Sequence, residues 1–143
     1  MATERIAHVT WRGSLIDGEG TIESVGSGAF GPLDVTWASR SQEPQGRTSP
    51  EELIAAAHAA CFSMALSHGL AQAGTPAETL ETSATVTFVP GTGITRVTLR
   101  VRGSVPGIEE ARFDELAQAA RDGCPVSKAL AGVPEIALDA ALA

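Results

Sequence analysis

Positive charge is what this sequence has least of. Ten Lys and Arg stand against 17 Asp and Glu in 143 residues, giving a formal net charge of -7 and a pI near 4.8. A nucleic-acid surface needs clustered cations to neutralise phosphates, so nucleic acid is excluded as a partner and a small molecule or a protein is expected instead. No apolar run follows a basic start at the N-terminus; no signal peptide is visible, and the cytoplasm is the expected compartment. The apolar run 54–66 covers only 13 residues and contains His58, too short to span a bilayer, so no membrane partner is expected. There are two cysteines. In a reducing compartment they do not read as a static staple, which leaves thiols that oxidise during function, a metal site, or two inert buried thiols. The chain has no Cys-x-x-Cys pair, no glycine-rich phosphate loop and no Gly-x-Ser-x-Gly turn, which removes the commonest metal, nucleotide and serine-hydrolase signatures. It also shows no internal repeat, linker or low-complexity tract, and its length fits one domain, residues 1–143, with a single core.

What the sequence does contain is one long helix start. Ser49 can cap free backbone N–H groups, Pro50 suits the first helical position, and Glu52 completes a Ser-x-x-Glu capping box. Glu51 and Glu52 also favour the positive end of the helix dipole. The alanine-rich stretch that follows has high helix propensity and small side chains that admit a close neighbour. Gly74 and Pro76 supply the stop. With almost no polar face before Ser67 and His68, the helix is expected to be buried on most sides.

Around it, alternation of apolar and polar residues predicts strands at residues 5–12, 21–25, 33–39, 81–89, 94–105 and 135–142, with an irregularity between Ile94 and Val97. Arg40 would close the third strand, and residues 41–48 read as a polar loop. Residues 108–122 are amphipathic, with Phe113, Leu116, Ala117 and Ala120 at helical spacing, and a short helix is expected over 126–130 behind Cys124 and Pro125. The order of three strands, helix, two strands, two helices and strand is α+β.

Cys61 falls in the middle of the long helix, where the dipole gives a thiolate no help, so a reactive Cys61 would need a nearby cation. Two buried hydrophobic cysteines remain the plain alternative. His58 and Cys61 could place two metal ligands on one helical face, supplemented by His8, His68 or Cys124, but these ligands are scattered. His58 reads better as packed or hydrogen-bonded. Glu52 reads as a capping residue, and Arg40 could be a solvated strand end.

The segment Pro50-Glu51-Glu52-Leu53-Ile54-Ala55-Ala56-Ala57-His58-Ala59-Ala60-Cys61-Phe62-Ser63-Met64-Ala65-Leu66, with Asp122-Gly123-Cys124-Pro125-Val126-Ser127 further on, closely resembles the OsmC/Ohr family of thiol-dependent peroxidases. Ala7-His8-Val9-Thr10-Trp11, Val105-Pro106-Gly107-Ile108 and the closing strand fall in family order, and an arginine after the third strand resembles the OsmC branch. The Ohr branch has its arginine earlier, which makes Arg12 the weaker candidate. The resemblance implies antiparallel sheets wrapped around a long central helix in an intertwined homodimer. It implies Cys61 as the peroxide-attacking thiol, Cys124 as the resolving thiol, and Arg40 and Glu51 as the activating pair. It also implies a lipoyl-type dithiol reductant and no cofactor. A peroxidase active on organic hydroperoxides and hydrogen peroxide is expected. The alternative is a non-catalytic dimer of the same fold that binds a small ligand or senses redox state. The apolar residues expected around Cys61, namely Leu53, Phe62 and Met64, favour an organic hydroperoxide.

Ten residues separate Glu51 from Cys61, which on one straight helix is about 15 Å of rise and a rotation to faces about 80° apart. Either the helix breaks between them, or Glu51 serves a site on a second subunit and the active site is composite.

Overall fold

The computed structural model describes residues 1–143. The chain divides into two compact units, Met1–Leu53 and Ile54–Ala143, with the long helix beginning in the first and running into the second.

In the first unit, β1 (Ala7–Arg12), β2 (Glu19–Val25) and β3 (Leu33–Val35) form an antiparallel sheet in the order β1-β2-β3. The expected third strand is cut short. Thr36 stops it, because its hydroxyl accepts from the Ser39 N–H while the Ser39 hydroxyl accepts from the Thr36 N–H. That reciprocal capping box starts a helix, α1 (Trp37–Ser41), where continued alternation predicted strand. Arg40 therefore stands on a helical turn and not at a strand end.

The second helix, α2 (Pro50–Gln72), is unbroken over 23 residues. Ser49 caps it as expected, accepting from the Glu52 N–H at 3.1 Å. Glu52 does not close the capping box: its carboxylate instead accepts from the Thr48 hydroxyl at 3.0 Å. The helix ends in a Schellman motif, with Gly74 at a φ of 85° and bonds from Gly74 N–H to Ala71 and from Thr75 N–H to Leu70. At its full length α2 is long and apolar enough to cross a membrane, but Phe62, Leu66 and Leu70 pack it into a core and His58 is wholly buried. It is buried along one stripe, through His58, Phe62, Leu66 and Leu70, and not on most sides: Ala56, Ala57, Ala60 and Met64 face outward, Met64 at 72% exposure. Spacing of i to i+4 selects that stripe; the alanines, having no reach, leave the other faces open.

The second unit adds β4 (Thr79–Val89), β5 (Gly93–Ser104), α3 (Glu110–Gly123), α4 (Pro125–Ala129) and β6 (Glu135–Leu142). The sheet order is β4-β5-β6. The β4–β5 pair is antiparallel, and its register shifts where Thr87 faces Arg96 and Phe88 faces Ile94, so Thr95 is the extra residue in the stretch where an irregularity was expected. β6 pairs parallel to β5, the one departure from antiparallel sheets. The two helices between them form a crossover long enough to return the chain in the same direction. The core joins Phe62, Leu66 and Leu70 of α2 to Leu99 and Val101 of β5 and to Phe113, Ala117 and Ala120 of α3. Gly103 permits this closeness, since a Cβ there would meet the Phe113 ring at 2.8 Å.

Candidate active site

The two expected charged residues meet within the first unit. Thr48 forms an isolated parallel bridge with Val35 of β3 and donates its N–H to the Asp34 carbonyl, and its own carbonyl accepts from the Ser39 hydroxyl at 2.8 Å. The loop is thereby fastened beside α1, and the start of α2 carries Glu51 to Arg40. Arg40 Nε donates to Glu51 Oε1 at 2.9 Å and Oε2 at 3.2 Å, and Nη2 donates to Oε2 at 3.0 Å. This two-point clasp fixes the plane of the guanidinium as well as its position. Glu51 is buried and Arg40 is about one-third exposed, its side chain at 32%. The Trp37 ring lies 6.0 Å from the guanidinium carbon. Arg12, the weaker candidate, is an exposed residue of β1.

The two thiols meet within the second unit. Both are free, and their sulfurs share a hydrogen bond 2.9 Å long. Cys61 is partly exposed and Cys124 wholly buried. Cys124 stands at the N-cap of α4, with Pro125 at the first helical position. Burial raises the Cys61 thiol above its ordinary value, and the hydrogen bond shared with Cys124 raises it further, against a smaller opposing effect of the Val126 N–H. Burial acts the same way on Cys124. There it is overcome by the hydrogen bond shared with Cys61, the N–H groups of Ser127 and Val126 and the Ser127 hydroxyl, which together bring this thiol below its ordinary value. A cation beside Cys61 is what would favour its thiolate.

His58 lies one turn before Cys61, buried as the sequence suggested, with Nε2 2.7 Å from the Ser127 hydroxyl oxygen. Sequence reasoning did not single out Ser127; its position three residues after Cys124, in the first turn of α4, was the available signal. His8 and His68 are exposed, and no three His, Cys, Asp or Glu side chains converge to hold a metal. Phe62 belongs to the core and Met64 to the surface.

The sequence profile described as OsmC-like protein matches residues 43–139. The chain belongs to the OsmC family. It is 40% identical to peroxiredoxin OsmC of Escherichia coli (strain K12) over 97% of this chain and 96% of that protein. It is 27% identical to the organic hydroperoxide resistance protein OhrB of Bacillus subtilis (strain 168), over 75% of this chain and 79% of that one. The crystal structure of Bacillus subtilis OhrB superposes with a TM-score of 0.64, at 29% identity, over 96% of this chain and 98% of that one. The α+β fold of two three-stranded sheets and a long helix is the fold these proteins share.

Proposed function

We propose that this OsmC-family protein is a thiol-dependent peroxidase in which Cys61 attacks the peroxide and Cys124 resolves the product. The observation that carries the reading is the thiol pair itself: two free sulfurs at 2.9 Å, the outer one reachable and the inner one buried. A peroxidase and an organic hydroperoxide resistance protein among its relatives support the reaction class. The Cys61 thiolate attacks the distal peroxide oxygen; the O–O bond breaks, the alkoxide takes a proton to leave as alcohol, and Cys61 becomes a sulfenic acid. Cys124 then attacks the Cys61 sulfur, the S–O bond breaks, water leaves, and a disulfide forms. A dithiol reopens it by exchange, and a lipoyl-type dithiol is the reductant we infer.

Arg40 supplies a cation to Cys61, with Glu51 orienting it. Because α2 is unbroken between Glu51 and Cys61, the proposal assigns the Arg40–Glu51 clasp of one subunit to the Cys61 of a second, in a homodimer with composite sites. The exposed apolar side of α2 and the exposed Val9 and Trp11 of β1 support association. An alkyl hydroperoxide is the favoured substrate, hydrogen peroxide being also accepted, and the cytoplasm is the proposed compartment.

Free thiols counted before and after one equivalent of cumene hydroperoxide test the reading. Both thiols of the reduced protein are expected to disappear, with an intact mass lower by two hydrogens. Cys61→Ser should abolish turnover, and Cys124→Ser should permit one turnover followed by over-oxidation of Cys61. Two thiols still titrating after the peroxide, or peroxidase activity retained in Cys61→Ser, would overturn it.

A further inference from the structure

Arg40 and Glu51 come from different elements, α1 and the first turn of α2, and the role given to Arg40 above, on which this inference rests, requires one fixed geometry between them. Neither element secures that alone. α1 has five residues, too few to keep a helical turn in water by itself. Residues 43–47 of the loop between them are exposed throughout, so packing does not set the span. What does is a polar frame centred on Thr48. Its N–H donates to the Asp34 carbonyl next to β3 residue Val35 at 3.0 Å, its hydroxyl donates to the Glu52 carboxylate on α2 at 3.0 Å, and its carbonyl accepts from the Ser39 hydroxyl on α1 at 2.8 Å. Of these three bonds, the one from Ser39 is the one that reaches α1.

Ser39 and Thr48 are both buried. A serine hydroxyl has one proton, and the Thr36 carbonyl at 3.0 Å competes for it. That carbonyl already accepts the Arg40 N–H at 3.3 Å, whereas the bond to Thr48 is the shorter and the buried one. The proton serves Thr48 better, because a buried carbonyl left unpaired is costly. The Ser39 oxygen in turn accepts from the Thr36 N–H at 2.9 Å, which fixes its direction. The bond to Thr48 thus closes the chain one residue before Arg40 and three residues before Glu51. Glu52, the other acid of the first turn, is held by the Thr48 hydroxyl, and Glu51 is the one that meets the guanidinium.

We propose that Ser39 is a positioning residue for the Cys61 reaction, acting through Thr48: its hydroxyl locks α1 to the loop entering α2 and so sets the guanidinium plane of Arg40 against Glu51. Two-point pairing needs the guanidinium and the carboxylate coplanar and in register. Without the Ser39 bond α1 can turn on its axis, and the long arginine side chain then samples geometries in which one of the two contacts is lost. The cation then reaches the Cys61 thiolate less often in the orientation that supports attack.

Exchange of the Arg40 Nε–H with solvent, followed by nitrogen-15 NMR in Cys61→Ser protein, reads the clasp without any peroxide. Ser39→Ala should speed that exchange about tenfold, the size of one lost buried hydrogen bond, while the amides of the β1–β2 pair keep their rates. Thr36→Ala removes a helix cap but leaves the Ser39–Thr48 bond, and should speed it only about twofold. Ser39→Thr, which keeps the hydroxyl, should restore the slow exchange. Unchanged exchange in Ser39→Ala would overturn the proposal, as would equal acceleration of the β1–β2 amides, the mark of general loosening. If Ser39→Ala does not fold, Ser39→Cys, near in size and with only a weak S–H donor, decides by the same outcomes. In the protein with both cysteines, Ser39→Ala should slow the stopped-flow reaction of Cys61 with cumene hydroperoxide by about the same tenfold factor. Added to Arg40→Met it should slow nothing further, because its effect passes through Arg40; additive losses would overturn the proposal. If Arg40→Met reacts as fast as the unaltered protein, the role of Arg40 in the peroxide reaction fails instead. The exchange measurement still reads the frame in that case, so the two proposals fail separately.

Discussion

Each of the two units of the chain has an interior built from a different kind of interaction. Ile54–Ala143 closes Phe62, Leu66, Leu70, Leu99, Val101 and Phe113 completely away from water. Met1–Leu53 buries one large apolar side chain, Ile22, and leaves Val9 at 59% and Trp11 at 41% exposure. What it buries instead is polar: Ser39, Thr48 and Glu51, all tied by hydrogen bonds. A three-stranded sheet without a covered face is marginal by itself. The difference teaches that the thiol pair stands on a self-sufficient apolar core, whereas the charged clasp stands on a polar framework whose sheet still has apolar surface to cover.

The sharpest way to test that contrast is at the core. Phe62→Ala should cost about 3–5 kcal/mol in urea unfolding, as expected for a wholly buried aromatic on α2. A loss below about 1 kcal/mol would mean that the second unit is not held by packing. Glu51→Ala should cost less, about 2 kcal/mol, because it strands the Arg40 guanidinium beside a buried void while the third of Arg40 that is exposed lets water compensate. Peroxidase activity should fall at the same time, with Cys61 reacting more slowly in stopped flow. Unchanged reactivity would separate the clasp from the chemistry. The smallest effect is expected at Val9→Ser, about 1 kcal/mol of lost apolar burial that appears only where two chains associate. Sedimentation should show weaker self-association. An unfolding midpoint independent of concentration and indifferent to Val9→Ser would show that this face is ordinary solvent surface.

Much of the architecture could be read from local pattern because local rules govern it. Period-two alternation located five of the six strands well, Ser49 and Pro50 located the start of α2, and the excess residue near Ile94 announced the register shift. The misreadings have definite causes. The stretch 36–41 alternates like a strand, yet the paired side-chain bonds of Thr36 and Ser39 favour a helical turn over continued pairing. The apolar content of α2 suggested burial all round, but only the side chains at i and i+4 reach the core. Cys61 and Cys124 stood out as candidates because the two cysteine motifs together are specific, and Arg40 and Glu51 followed from the resemblance, whereas Ser127 did not stand out, since a serine three residues past a cysteine has no chemistry until a histidine is folded against it.

The amino-acid order by itself determined the helix starts and stops, the strand alternation, and which thiols and charges the chain has at its disposal, because those depend on neighbours within a turn or two. Only the tertiary structure decided that the Cys61 and Cys124 sulfurs lie 2.9 Å apart, that burial raises the Cys61 thiol while its surroundings lower that of Cys124, and that His58 closes on Ser127. These are contacts between residues more than sixty positions apart. Their energies depend on distance and on the exclusion of water, and both of those arise only when the core has closed.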